Sequence, residues 1–584
     1  MERFKPILAE ALSKAIEIPV EIRELETPPD RLMGDYAFPC FKLSKAQKKA
    51  PPLIAAEITV KVSAFIDPAQ FEVKQVGPYV YFTLNTNYFC KTVMKEILST
   101  SNNTYGSLPT KSREKWVFEF SSPNVAKPFQ IYHLRTTIVG SALSKIAKLR
   151  GYDVTTINHL GDWGTQYGKL AVALKKYAAE LPPELTLKDL VNIYVQIHKD
   201  METDPTIEKE GQDAFRRLEA GDPEIRAIWK KCLDVSLKEF LKTYVRYQVT
   251  FDHYWGESFY EDQLKPLLAD LKQRKILIQD QGAWIVPVHN RDGKEIPPCI
   301  LEKSDGASIY ATRDVAAAVY RYDQLHFDRM TYIVGKEQQL HFEQVFGVLR
   351  AMNLPWEKLC EHLPTGLYRF KDAKMSTRKG NFITLEEVND LCIDKTLKLM
   401  RERAAASENE ERKLSEEEIV KIADQVAVGA IVFADLSTDP TRDMDFDVDR
   451  VISFEGETGP YLQYAHTRCL SILKKSEKEA AAINQLDPEK LALLCNKNEE
   501  VFLMKGLGRF PSALERTLDQ RKPSQLATYL IDLTKDFSAF YRECKVSNPD
   551  QPELTAARLA LVSATQKILS AGLDLLGIPK PEKM

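Results

Sequence analysis

Between Trp116 and Ile157 the chain reads strand, turn, helix, strand, and few folds accept that order at that length. "WVFEF", Trp116 to Phe120, is a short apolar run of the kind buried on both faces of a sheet. A polar, proline-containing turn follows. Leu134, Ile138, Ala142, Ile146 and Leu149 then recur at helical spacing until Gly151 ends the helix, and "DVTTI" supplies a second strand. Two strands joined through a helix make a βαβ unit. The expected fold class is therefore α/β, a doubly wound parallel sheet of Rossmann-like form. The alternation resumes in "SIYATRDVAAAVYRY", "MTYIVG" and "LHFEQVFGVLRAMN".

The flanks have a different character. The N-terminal part pairs helices with the turn-rich "ELETPPDRLMGDYAFPCF" and the strand-like "EVKQVGPYVYFTLN", an α+β domain expected over residues 1–105. Ser, Asn, Gly and Pro cluster between Ser99 and Lys115, as in a linker. The Rossmann-like domain is expected over 106–445, interrupted by a charged, helical insertion at about 175–300. Beyond Asp445 almost everything reads as helix, so 446–584 is expected to be an all-α bundle.

Composition narrows the setting. The residues are 44% hydrophobic and 28% charged, and no long uncharged apolar run suggests a membrane span. The opening "MERFKPILAEALSKAIEIPV" has the spacing of an amphipathic helix and no cleavage site, unlike a secretory signal. Nine cysteines lie scattered without a C-x-x-C pair, which points to a reducing cytoplasm and against a protein-bound metal. A formal net charge of −3 gives no global attraction for nucleic acid, so any RNA contact must use local patches and shape.

Four stretches concentrate chemistry. Glu119, Ser122, Asn124 and Lys127 precede the long helix, and His133 lies in its first turn, where unpaired N–H groups form a seat for phosphate. "INHLGDWGTQYGKL" brings His159, Asp162 and Gln166 to the same sheet edge. "IYATRD" places Tyr310 and Asp314 four apart, on one helical face. "KDAKMSTRKGN" is a basic, glycine-closed loop. Alone, a single histidine is more often structural, and a basic loop is usually just solvated.

Together the four resemble a class I aminoacyl-tRNA synthetase, and the arginyl-tRNA synthetase family in particular. "FEFSSPNVAKPF" resembles that family's approach to its HIGH-type signature, "NHLGDWGTQYG" its next block, "YATRD" its amino-acid pocket and "KMSTRKGN" its KMSK-type signature. "GDYAFPCF" and "VGPYVYF" are similar to its N-terminal tRNA-binding domain. "GETGPYLQYAHTR", "FYRECKV" and the closing "ARLALVSATQKILSAGLDLLGIPKPEKM" are similar to its anticodon-binding bundle.

The resemblance implies arginine activation by ATP to arginyl-adenylate and pyrophosphate, then transfer to the terminal ribose of arginine-accepting tRNA. It implies an arginine pocket of Glu119, Ser122, Tyr310 and Asp314, with Asn124, His159 and Gln338 at the amino and carboxylate end. Carboxylates suit a planar, always-charged guanidinium. Such a pocket rejects apolar amino acids without help, so no editing site is expected in the inserted middle. ATP would meet Gln130, Tyr132, His133, Lys374, Met375 and Ser376, with Lys127, His133 and Lys374 serving catalysis and Mg2+ arriving with the nucleotide. The partners implied are tRNA, ATP and L-arginine. A monomer without membrane association is expected.

One signature departs from the family. Where its members usually read His, a small apolar residue, Gly, His, this chain has Gln130, Ile131, Tyr132 and His133. Gln130 retains a donor without charge. Tyr132 would fill the space in which adenine lies against a glycine backbone unless it points away or stacks on the base. A working enzyme with a shifted turn is the main expectation. An arginine- or tRNA-binding paralogue that has lost ATP use is the alternative, and another nucleotidyl transferase of the same fold a remote third. For RNA, the resemblance nominates Tyr79 and Tyr81 in the N-terminal domain and Tyr461, Gln463, His466 and Arg468 in the bundle.

Overall fold

The computed structural model describes residues 1–100, 104–108, 114–304, 309–370, 383–406, 414–480, 483 and 486–584. Its first sheet is antiparallel: β1 (Tyr36–Pro39), β2 (Phe71–Val76) and β3 (Tyr79–Leu84) in the order β1-β3-β2, backed by the helices Lys5–Ile16 and Pro51–Val62. This part docks on the C-terminal bundle. Met1 donates its amino group to the Gly508 carbonyl at 3.0 Å, and Lys505 meets the Asp35 carboxylate at 2.6 Å.

The central sheet is parallel throughout. It contains β4 (Lys115–Glu119), β5 (Asp153–Asn158), β6 (His253–Tyr254), β10 (Arg329–Gly335) and β11 (Cys360–Thr365) in the order β11-β10-β4-β5-β6. The chain proceeds outward from β4 on one side, then returns to lay β10 against its other side. Between β4 and β10 lies the switch point, where the carboxyl ends of a doubly wound sheet open a crevice for ligands. Alternation along β4 sends Trp116 and Phe118 into one buried cluster and Val117 into the other, which explains its unbroken apolar run.

The helix Ile131–Leu149 crosses from β4 to β5 and packs close to the sheet. A Cβ on Gly140 would lie 2.2 Å from Cγ of Phe120, so only glycine permits this approach.

The middle of the chain corrects one expectation. Helices do fill it as far as Arg246, but β6 then rejoins the central sheet. A separate antiparallel sheet follows, of β7 (Ile278–Asp280), β8 (Ala283–His289) and β9 (Glu295–Glu302). Exposed Pro287, Pro297 and Pro298 stand inside these strands and masked the strand period. The turn "NRDG" between β8 and β9 was its legible signal, with Gly293 at φ +78° and Asn290 N–H bonded to the Lys294 carbonyl at 2.8 Å.

Two short strands, β12 (Tyr368–Phe370) and β13 (Met444–Phe446), pair in parallel near the start of the bundle, so a strand does stand at that junction. Beyond them the described chain is helical. The helix Pro552–Leu576 is long and apolar enough to cross a membrane by composition, but 78% of its apolar window is buried inside the molecule. All nine cysteines are buried and unpaired.

Gly140→Ala should push the signature helix off Phe120 and lower stability by about 1–3 kcal/mol. A urea titration at unchanged slope measures it; no loss would mean that the sheet yields at this contact.

Candidate active site

The loop from β4 to the long helix runs through the crevice in an unusual backbone conformation. Ser121, Ser122 and Ala126 have φ of +79°, +49° and +59°, although none is glycine. Surrounding bonds impose this path. The Val125 N–H bonds to the Gly161 carbonyl at 3.1 Å, Ala126 N–H to Ser236 Oγ at 2.9 Å, and Ser122 N–H to Asn158 Oδ1 at 3.2 Å. Gly161 has no Cβ because Asn124 Oδ1 would lie 2.4 Å from it. Ser122 Oγ is buried without a partner, and Asn124 and Lys127 are half-buried beside it. Among the described residues none partners Ser122 Oγ, which the loop therefore offers to a ligand.

At the helix start, His133 Nδ1 accepts from the Gln130 N–H at 3.2 Å, which leaves the proton on Nε2. Burial, helped by the Lys127 charge, drops the His133 pKa to about 3, so the ring is a neutral donor. One atom of the Gln130 side-chain amide is buried without a partner. Gln130 also bridges to Thr384, and Leu385 N–H bonds to the Phe129 carbonyl at 3.0 Å. The segment just after the second signature is thus stitched to the first. Tyr132 turns outward, 37% exposed, with its ring 4.3 Å from that of His133. Burial first and the Glu337 charge second raise its hydroxyl pKa.

The second wall comes from the helices Tyr310–Leu325 and Gln339–Ala351. Asp314 receives His341 Nε2–H on one oxygen at 2.5 Å, and His159 Nε2 lies 3.4 Å from the other. Burial alone would raise the Asp314 pKa, but the two imidazoles hold it well below the usual carboxylate range. Glu119, at the end of β4, is buried against Arg321, which also donates to Tyr260 Oη at 3.0 Å. Tyr310 is exposed at the rim with its ring 4.7 Å from His341, and Gln338 is half-buried at the turn after β10. Glu119, His159 and Asp314 are therefore linked through Arg321 and the histidines. Asp162 serves another purpose: buried, it accepts from Ser258 N–H and Oγ–H at 2.8 and 2.6 Å and holds that turn.

The chain matches "tRNA synthetases class I (R), catalytic domain" over residues 93–448, "DALR anticodon binding domain" over 462–584 and "Arginyl tRNA synthetase N terminal domain" over 2–84. It is 41% identical to the arginine–tRNA ligases of Clostridium kluyveri and Clostridium perfringens, covering 100% of each chain. The chain belongs to the arginyl-tRNA synthetase family. Among solved structures it resembles the arginyl-tRNA synthetase of Plasmodium falciparum, with a TM-score of 0.80 at 25% identity over 100% of this chain and 98% of that one. The fold of the Thermus thermophilus arginyl-tRNA synthetase also matches, with a TM-score of 0.76 at 24% identity over 99% and 100% of the chains.

Lys374, Met375 and Ser376 of the synthetase's second signature lie outside the described residues. The stem leading to them is described. Gly366 N–H bonds to the Pro440 carbonyl at 2.8 Å, and Asp443 accepts from Leu367 N–H at 2.9 Å and Arg369 at 2.6 Å. Arg135, buried on the signature helix, donates to the carbonyls of Asp439, Pro440 and Arg442 at 3.1, 3.3 and 2.9 Å. Its Nε lies 3.8 Å from the buried Asp435 carboxylate. Arg135 thereby joins the first signature to the stem of the second.

Of the residues nominated for tRNA, Tyr79 and Tyr81 lie two apart on one face of β3, half-buried, with rings 5.8 Å apart. Arg468 sits on the surface over the rings of Tyr464 and Tyr541, and Tyr461 Oη is 3.3 Å from Ser538 Oγ. Gln463 and His466 are a correction. Gln463 is buried and donates to the carbonyls of Gln425 and Pro579, while His466 is buried beside Gln566. Both pack the bundle and offer no surface to RNA.

Arg321, His341 and Arg135 were not singled out from sequence. Arg321 had a signal: it stands seven residues after Asp314, on the same face of the alanine-rich helix. Arg135→Ala should cost about 3–5 kcal/mol, because Asp435 and three carbonyls lose a buried cation. The urea midpoint reads this directly; a cost under about 1 kcal/mol would show that the clamp is dispensable.

Proposed function

We propose that this protein is an arginine–tRNA ligase: it activates L-arginine with ATP and transfers it to the 3′ end of arginine-accepting tRNA. The observation that carries this is the full-length match to arginine–tRNA ligases combined with two buried or half-buried carboxylates, Glu119 and Asp314, at the switch-point crevice. In this reading Asp314, Glu119 and Tyr310 receive the guanidinium, and Ser122, Asn124, His159 and Gln338 receive the amino and carboxylate end. Glu119, which Arg321 meets through Oε2, keeps its other oxygen for a donor of the substrate.

The nucleotide then lies over the start of the signature helix. His133 Nε2–H and the Gln130 amide supply uncharged donors, Lys127 a nearby positive charge, and Lys374 with Met375 and Ser376 the loop that closes on the triphosphate. The reaction is displacement at the α-phosphate, so positioning and charge stabilisation carry the rate. In this reading Tyr132, whose ring turns outward, flanks the base. Mg2+ accompanies ATP; among the described residues no three metal-binding side chains gather.

Residues 1–105 and 446–584 form the two RNA-binding parts of this reading, flanking the catalytic domain, with Tyr79, Tyr81, Tyr461 and Arg468 as contacts. The protein acts as a monomer in the cytoplasm, away from membranes.

Charging of tRNA with labelled arginine tests the whole. The natural protein should charge, and Gln130→Ala should lose about a hundred- to a thousandfold in rate. Asp314→Asn should weaken arginine binding by about 2–5 kcal/mol. If charging appears only after Gln130→His and Tyr132→Gly, the natural chain is a binding protein and the proposal fails.

A further inference from the structure

The turn after β10 runs over the surface, with Lys336, Glu337, Gln339 and Leu340 exposed and Gln338 half-buried, until His341 turns inward at 7% exposure. Phe342 fixes the helix there, its ring stacked 4.5 Å from that of His362 and 5.1 Å from that of Tyr332. From this anchored position the His341 ring reaches the preceding helix and touches two residues. Its Nε2–H goes to Asp314 Oδ2 at 2.5 Å, and its centroid lies 4.7 Å from that of Tyr310. Nδ1 is buried without a partner among the described residues, and the ring stands at the positive end of its helix. A proton on Nδ1 would find no acceptor, so the ring is neutral with its one proton on Nε2.

We propose that His341 is a positioning residue for arginine: by holding one oxygen of Asp314 it sets the plane of that carboxylate, and the set plane makes the pocket prefer a guanidinium to an ammonium. This rests on the arginine pocket proposed above. Asp314 is half-buried, and a carboxylate turns in broad torsional wells unless something holds it. His159 Nε2 borders its other oxygen at 3.4 Å, so the His341 bond is the shorter tether.

An ionised carboxylate offers about four acceptor sites, of which His341 uses one. The guanidinium of arginine carries its donors in a rigid planar fork, so it gains when the remaining sites point in fixed directions. A lysine ammonium is a compact charge with rotatable donors on a flexible stem, and it follows a carboxylate through its rotations. His341 thus acts on the difference between two cations of equal charge, which attraction alone does not separate. The contact with Tyr310 ties the second residue at the guanidinium end to the same ring.

Two variants of the full chain separate the proton from the ring. His341→Phe keeps a ring beside Tyr310 and removes the donor, whereas His341→Gln keeps an N–H that can reach Asp314. In tRNA charging, His341→Phe should raise the KM for L-arginine about 10- to 100-fold, the range for a hydrogen bond to a charged group, with kcat and the KM for ATP unchanged. Competitive inhibition by L-lysine should stay as it was, so the advantage of arginine over lysine shrinks by the same factor. His341→Gln should recover most of the loss. In an Asp314→Asn background His341→Phe should cost nothing further, because its effect passes through that carboxylate. Equal weakening of arginine and lysine, additive losses in the double variant, or no recovery in His341→Gln overturns the inference. If L-lysine does not inhibit, the double variant decides; if His341→Phe does not fold, His341→Asn, whose shorter amide falls short of Asp314, takes its place. A natural protein that does not charge tRNA with arginine overturns the pocket itself, and that baseline is read before any variant.

Discussion

The site is organised around one ion pair. Glu119 ends a strand that is buried on both faces, where an uncompensated carboxylate would cost several kcal/mol or take up a proton. Arg321 meets it there, its Nε on Tyr260 and its Nη2 3.2 Å from His159 Nδ1. Buried pairs of this kind add little net stability compared with apolar residues of equal volume. Their effect is positional. Glu119 stays charged at a fixed point, and Arg321 fixes the rotation of a helix whose preceding turns carry Asp314 and Tyr310. The two catalytic-domain halves that flank the switch point are joined by that bond.

Sequence disclosed the parts of this design whose residues are neighbours in the chain. The strand–helix–strand unit was legible because its apolar period changes cleanly, and the loop Glu119 to Lys127 because its polar residues crowd together. Where a charge is buried, the pattern misleads. Arg321 and Arg135 look like ordinary surface cations until packing encloses them, and Asp162 looks like a ligand group until Ser258 is found on both its oxygens. Gln463 and His466 sit in the helix Gly459–Lys475 beside exposed Tyr464 and half-buried Arg468, and helix period alone cannot separate them. The hairpin β8–β9 was hidden by the three prolines within its strands.

The helical bundle touches the catalytic domain far from the crevice. Arg521 pairs with Glu361 at 2.7 Å and lies over the Trp116 ring, both near the amino ends of their strands. Its neighbour Lys522 meets Asp439 at 2.8 Å, in the same loop whose carbonyls hold Arg135. That loop is consequently shared: one side bears on the bundle, the other on the signature helix, and Asp443 at its end grips both Lys336 beyond β10 and the stem of the second signature. These contacts, together with one buried apolar cluster that runs from Phe4 through Leu134 to Leu559, make the three parts mechanically continuous.

The nine sheltered thiols give the molecule a chemically silent surface. Burial lifts the pKa of each of them, Cys544 included, so that thiolate is scarce as well as hidden. A cysteine placed by Tyr81→Cys or Arg468→Cys would therefore be the one sulfur that a maleimide dye or spin label reaches quickly. The natural chain needs no thiol removed first to become a site-specific reporter of where RNA lands.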